Sequence, residues 1–152
     1  MKFSSVNDLL DFAISEELKA ADFYRGLAGR MDRPWMKKTF LEFAQEEMGH
    51  KAILEDLKEG GDLSPLDKQI PDLKILESVQ AKPDASADQL DYKDALLIAM
   101  QAEKEAFQLY SSLADLAEDE RARGILTRLA QEEAKHKLRF ELEYDDIVLS
   151  EN

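Results

Sequence analysis

The chain repeats itself. Shifted by 86 positions, Glu17 falls on Glu103 and Tyr24 on Tyr110. The run Ala44-Gln45-Glu46-Glu47-x-x-His50 falls on Ala130-Gln131-Glu132-Glu133-x-x-His136 without a gap. Glu17 and Glu47 are 30 residues apart, and so are Glu103 and Glu133. Such self-similarity means one structural unit used twice. A repeat that served only packing would match best at apolar positions. This one matches best at polar residues set within apolar stripes. The chain has two histidines, and each has a Glu three residues before it and another 33 residues before it.

Apolar spacing predicts four helices. The first runs over about 5–29, with Val6, Leu9, Leu10, Ala13, Glu17, Ala20, Ala21, Tyr24 and Leu27 on one stripe. The second runs over about 33–58, starting near Pro34 and stopping at Gly60-Gly61. The third covers about 91–117 with Asp91 as its N-cap, and the fourth about 119–147. No segment alternates like a strand. Short loops within each pair predict two antiparallel hairpins, about 5–58 and 91–147. Between them, residues 59–90 hold Pro65, Pro71 and Pro83. That length suits a crossover running the full length of a bundle, so that the second and third helices point the same way. One long crossover is the ferritin-like variant of the four-helix bundle. The expected fold is therefore all-α, with the 152 residues forming a single ferritin-like domain. Ile70, Leu73, Ile75, Leu76 and Val79 of the crossover are expected to cover the bundle or a partner chain.

Composition narrows the function. Asp plus Glu number 33 against 20 Lys plus Arg, a formal charge of −13, which disfavours nucleic acid and anionic membrane as partners. There is no cysteine, so disulfides, Cys-ligated zinc, iron–sulfur clusters and thiol catalysis are excluded. The first residues lack the apolar core of a secretory signal, and no apolar run reaches the ~18 residues of a membrane span. A cytoplasmic location is expected.

Residues three apart on a helix share a face, so Glu-x-x-His aims a carboxylate and an imidazole at one point. Glu17 and Glu103 lie mid-helix on stripes that face inward. Burying an isolated ionised carboxylate is costly, and four of them in one core repel one another. Divalent cations remove the difficulty, because four carboxylates and two neutral imidazoles balance two such ions. Bridging carboxylates let six side chains serve both ions and leave positions open for oxygen species.

At these residues the sequence resembles the rubrerythrin-like branch of the ferritin-like superfamily, over roughly 5–147. The resemblance implies Glu17, Glu47, His50, Glu103, Glu133 and His136 as ligands of two iron ions per chain. Manganese and zinc are alternatives that the donor set also accepts. Rubrerythrins carry a second carboxylate one turn on in the third helix. Here that position is Ala106, and Glu105 points away. A six-ligand site is expected, and the family's redox-linked ligand switching is not carried over. Full-length rubrerythrins append a small Cys-ligated iron domain. This cysteine-free chain would draw its electrons from a separate donor protein.

Tyr24 and Tyr110, two turns beyond Glu17 and Glu103, are expected to hydrogen-bond ligand carboxylates and fix their orientation. Glu46 and Glu132 are rotated ~100° from the ligand Glu and are read as part of a solvated face or as capping partners rather than as ligands. Trp35 is read as packing. Gly49, beside His50, is read as room for close helix approach. Three functions compete. The first is a di-iron peroxidase or oxidoreductase acting on hydrogen peroxide or dioxygen, implied by the resemblance in an oxidative-stress setting. The second is a ferroxidase that handles iron. The third is a non-catalytic two-metal binding protein. The resemblance implies a homodimer, and the long connection between two self-similar hairpins makes a helix-swapped form topologically easy.

Overall fold

The computed structural model describes residues 3–61, 70–79 and 83–151. Residues 62–69 and 80–82 of the expected crossover, including Pro65, lie outside the described residues. The chain divides into two compact units, Met1–Leu63 and Ser64–Asn152. Four α-helices build them: α1 Val6–Gly29, α2 Pro34–Lys58, α3 Tyr92–Leu116 and α4 Glu120–Ser150. Among the described residues there is no strand. Nor, among them, is any helix long and apolar enough to cross a membrane.

In the first unit α1 packs on α2. Ser5 caps α1, its Oγ accepting the Asp8 N–H at 3.1 Å. Pro34 opens α2 at a position where no amide is needed. The Gly60 N–H donates to the Leu57 carbonyl and the Gly61 N–H to the Asp56 carbonyl, both at 3.0 Å, with Gly60 at φ +106°. This Schellman closure ends α2 where the glycine pair predicted a stop. Phe40, Phe43 and Tyr24 form the aromatic centre of the hairpin. The Tyr24 ring stacks on Phe40 at 6.5 Å and tilts against Phe43 at 5.7 Å. Lys58 ties the end of α2 to Asp11 on α1.

In the second unit α3 packs on α4. The Asp119 carboxylate accepts the N–H groups of Arg121 (2.8 Å) and Ala122 (3.0 Å), capping α4. Asp91 stands at the N-cap of α3 as expected, but its side chain makes no capping bond. Tyr92, the next residue, anchors this end instead, its buried hydroxyl donating to Glu143 at 3.0 Å. Lys93 pairs with Glu151 at 2.8 Å. The core is Leu96, Ala99, Met100, Leu113, Leu126, Leu129 and Phe140, all buried. Burying each large side chain contributes about 1.5–3 kcal/mol. α4 extends three residues past its expected end, because no glycine pair follows it.

The connecting segment departs most from expectation. Leu73 is exposed, and Ile70, Ile75, Leu76 and Val79 are only half-buried. Polar groups do the anchoring. The fully buried Glu141 carboxylate accepts the N–H groups of Leu73 (3.2 Å) and Ile75 (3.3 Å). Lys74 between them takes the left-handed conformation, φ 54°, which turns its two neighbours' amides to one side. Lys137 Nζ, also buried, donates to Asp72 at 2.6 Å and to Glu141 at 3.1 Å. A single 3-10 turn, Ile75–Ser78, follows and touches α3, where Lys104 pairs with Glu77 at 3.6 Å.

Lys137 and Asp72 hold each other ionised. Burial pushes the Lys137 ammonium down, but its hydrogen bonds and attraction to Asp72 and Glu141 outweigh this and raise its pKa above the usual lysine value. Burial likewise pushes Asp72 up. The Lys137 hydrogen bond, the Lys74 N–H and the two lysine charges outweigh it and hold the carboxyl below its ordinary value.

Candidate metal centre

Each hairpin assembles a triad from its own two helices. In the first, α1 brings Glu17 from the middle of its apolar stripe, and α2 brings Glu47 and His50 one turn apart. One ligand atom from each of the three lies within 4.8 Å of the others. His50 Nδ1 is 3.6 Å from a Glu17 oxygen and 3.8 Å from a Glu47 oxygen. In the second, α3 supplies Glu103 and α4 supplies Glu133 and His136, again with ligand atoms within 4.8 Å of one another. His136 Nδ1 is 3.4 Å from a Glu103 oxygen.

All four carboxylates are buried, between 0% and 3% exposed. The imidazoles differ: the His136 side chain is 5% exposed and that of His50 15%. The second triad is therefore sealed more tightly than the first.

The donor set fits a metal. Two donors each about 2.1 Å from one ion stand roughly 3–4 Å apart, which matches the spacings between imidazole and carboxylate. They are long for ordinary hydrogen bonds. Each triad with a neutral imidazole carries two negative charges, which one divalent ion balances. Oxygen and imidazole donors suit iron, manganese and zinc alike.

All six ligand positions expected from the sequence thus fall into the two triads. Tyr24 and Tyr110 are buried at 1% and 2% exposure, each on the same helix as its Glu. Phe40 and Phe43, which touch Tyr24, correspond to Leu126 and Leu129 in the repeat. Glu46 is exposed, and Glu132 pairs with Arg128 (2.8 Å) and Lys135 (3.7 Å), so neither joins a triad. Glu105 is exposed and accepts from Gln101, as its position two residues past Glu103 requires.

Two readings are corrected. Trp35 is 50% exposed in the first turn of α2 and is not core packing. A Cβ on Gly49 would meet nothing within 4 Å, so among the described residues no close approach requires glycine there. One cluster escaped the sequence reading: Lys137 and Glu141, next to His136 and one turn on. Their sequence signal is an ordinary i, i+4 pair, and the partner segment has no periodicity to flag it.

The sequence matches the family model for rubrerythrin over residues 8–144. No curated protein matches it. Among solved structures, a hypothetical protein from Pyrococcus furiosus is 26% identical, with a TM-score of 0.59, covering 93% of this chain and 89% of its own. A Thermotoga maritima protein described as a ferritin-like diiron-carboxylate protein is 25% identical, with a TM-score of 0.60 and coverage of 95% and 97%. The four helices in two hairpins thus follow the ferritin-like all-α four-helix fold. By the extent of the family match, the chain belongs to the rubrerythrin family.

Proposed function

We propose that this protein is a two-metal oxidoreductase that reduces hydrogen peroxide or dioxygen with electrons from a separate donor protein in the cytoplasm. The observation that carries this reading is the duplicated buried triad of two glutamates and one histidine. Glu17, Glu47 and His50 with Glu103, Glu133 and His136 would hold two iron ions per chain. Family membership supports iron, as does the diiron-carboxylate description of the Thermotoga relative.

Iron, when bound, would supply the electron transfer. The protein's own part is binding and orientation. The buried carboxylates would balance the charge of the ions, and their burial would limit access of bulk water to the site. Tyr24 and Tyr110, two turns along from Glu17 and Glu103, fix the carboxylates through hydrogen bonds. Reduction of one peroxide consumes two electrons and two protons. The donor supplies the electrons and solvent the protons.

The test is anaerobic Fe(II) titration followed by peroxide addition with a chemical reductant. Saturation near two ions per chain, and peroxide consumption well above that of the same free iron, are the expected results. Binding without peroxide consumption would overturn the oxidoreductase reading and leave a metal-binding protein. Dioxygen uptake with ferric iron accumulating would point to iron handling instead.

A further inference from the structure

Residues 72–78 cross the second hairpin at the level of its triad. At one end the Asp72 carboxylate accepts from Lys137 Nζ at 2.6 Å, and Lys137 directly follows His136 on α4. At the other end Glu77 lies 3.6 Å from Lys104, which directly follows Glu103 on α3. The segment thus ties together the two helices that build this triad, on each beside a triad residue. The repeat supplies the comparison. Lys137 corresponds to Lys51, and their side chains are 7% and 23% exposed. Glu141 corresponds to Glu55, at 0% and 53%. The imidazoles keep the same order, 5% for His136 and 15% for His50.

The segment is held in a way that lets it detach. None of residues 70–79 is buried, so lifting it exposes little apolar surface. Its printed anchors are polar: the Leu73 and Ile75 amides on Glu141, Asp72 on Lys137 and Glu77 on Lys104. Asp72 and Glu77 are each about half exposed, so water already reaches both ion pairs. Lys74 holds a left-handed backbone to present the two amides, a conformation unfavourable to a residue with a Cβ, and lifting relieves it. Lys137 and Glu141 are not stranded when the segment leaves. They keep their own 3.1 Å pair, the arrangement that Lys51 and Glu55 adopt facing water on α2. The second hairpin therefore has two complete arrangements, strapped and unstrapped.

We propose that residues 72–78 are a strap gating the second triad: a metal ion enters and leaves there when the strap lifts, whereas the first triad exchanges without this step. The inference rests on the metal reading of the triads but not on their reaction with peroxide.

Zinc, which has no redox chemistry, is the probe. The zinc-loaded full chain is mixed with excess colourimetric chelator and release is followed in time. The wild type should lose its zinc in two phases, the slower at least tenfold slower. Asp72→Asn with Glu77→Gln, which keeps size and removes both ion pairs, should speed the slow phase at least threefold and leave the fast phase unchanged. In the metal-free variant the Leu73 and Ile75 amides should exchange hydrogen faster than in the wild type, with helical circular dichroism unchanged. A single release phase would overturn the proposal. So would a slow phase indifferent to the variant while the two amides exchange faster. Amides equally protected in both proteins would overturn the strap itself. Zinc that fails to bind would overturn the metal reading and this inference with it. Two-phase release that responds to the variant, without peroxide consumption by the iron form, would leave the gate standing and remove only the oxidoreductase reading.

Discussion

Lys137 and Glu141 form a 3.1 Å ion pair one turn apart on α4, and both are buried. Their repeat counterparts, Lys51 and Glu55, form the same pair at the same 3.1 Å on α2, with Glu55 half exposed. Identical local chemistry has two settings. On α4 the pair is roofed by residues 72–75 and receives two backbone amides; on α2 it faces water.

This difference predicts unequal sensitivity. Glu141→Ala should cost about 1–3 kcal/mol, because it removes the acceptor of two amides and one of the two acidic partners of the buried Lys137 ammonium, leaving it Asp72. Glu55→Ala should cost about 0–1 kcal/mol, the usual worth of a surface pair. Urea unfolding of the two variants measures both. Similar costs would show that the roofing segment contributes nothing.

The Asp72 contact adds a pH signature. The Asp72 carboxyl is held below its ordinary value of 3.8 in the folded protein. A depressed carboxyl contributes stability that is present above its unfolded pKa and is lost as pH falls through the folded one. The stability difference between wild type and Asp72→Asn should therefore be constant from neutrality to about pH 5 and shrink below about pH 4. Paired denaturation curves across that range check it. A difference that grew on acidification would contradict the assignment.

Two glycines on α2 should respond in opposite directions. Gly60, at φ +106°, closes the helix, and Gly60→Ala should destabilise by about 1–2 kcal/mol. Gly49 is mid-helix with open space at its Cβ, so Gly49→Ala should stabilise by about 0.5–1 kcal/mol. Thermal melts resolve both. The Gly49→Ala result also reports whether anything outside the chain approaches that surface.

Metal should stabilise the fold by mass action. At a hundredfold excess over Kd the gain is about 2.7 kcal/mol per site, a rise in Tm of roughly 5–10 °C. Glu47→Ala with Glu133→Ala should abolish this rise while keeping the helical content. Without metal, the double variant should melt no lower than the wild type, since it removes two carboxylates whose burial is costly. Calorimetry with and without Fe(II) under argon distinguishes these outcomes.

The helices were legible because each stripe has a 3.6-residue period, and the residues of the two triads because they interrupt that stripe with charge at repeated positions. Glu17 and Glu103 look wrong for a core, and that is what marks them. Lys137 and Glu141 gave no such signal. At i, i+4 they read as a surface pair, and their burial depends on a segment 65–68 residues away in sequence. That segment is held by backbone amides, which no side-chain pattern records. For the same reason its apolar residues misled: they looked like an anchor, while Leu73 is exposed. Asp91 was placed correctly, but the residue that fixes this helix start, Tyr92, does so through a long-range bond to Glu143.

Each triad closes within one hairpin, across at most 33 residues of chain. During synthesis, Glu17, Glu47 and His50 have all left the ribosome before α3 and α4 have been translated. The cost of bringing them together is the closure of one short loop. Assembly of the first triad is therefore a local and early event, open to the first half of the molecule while the second is still being made.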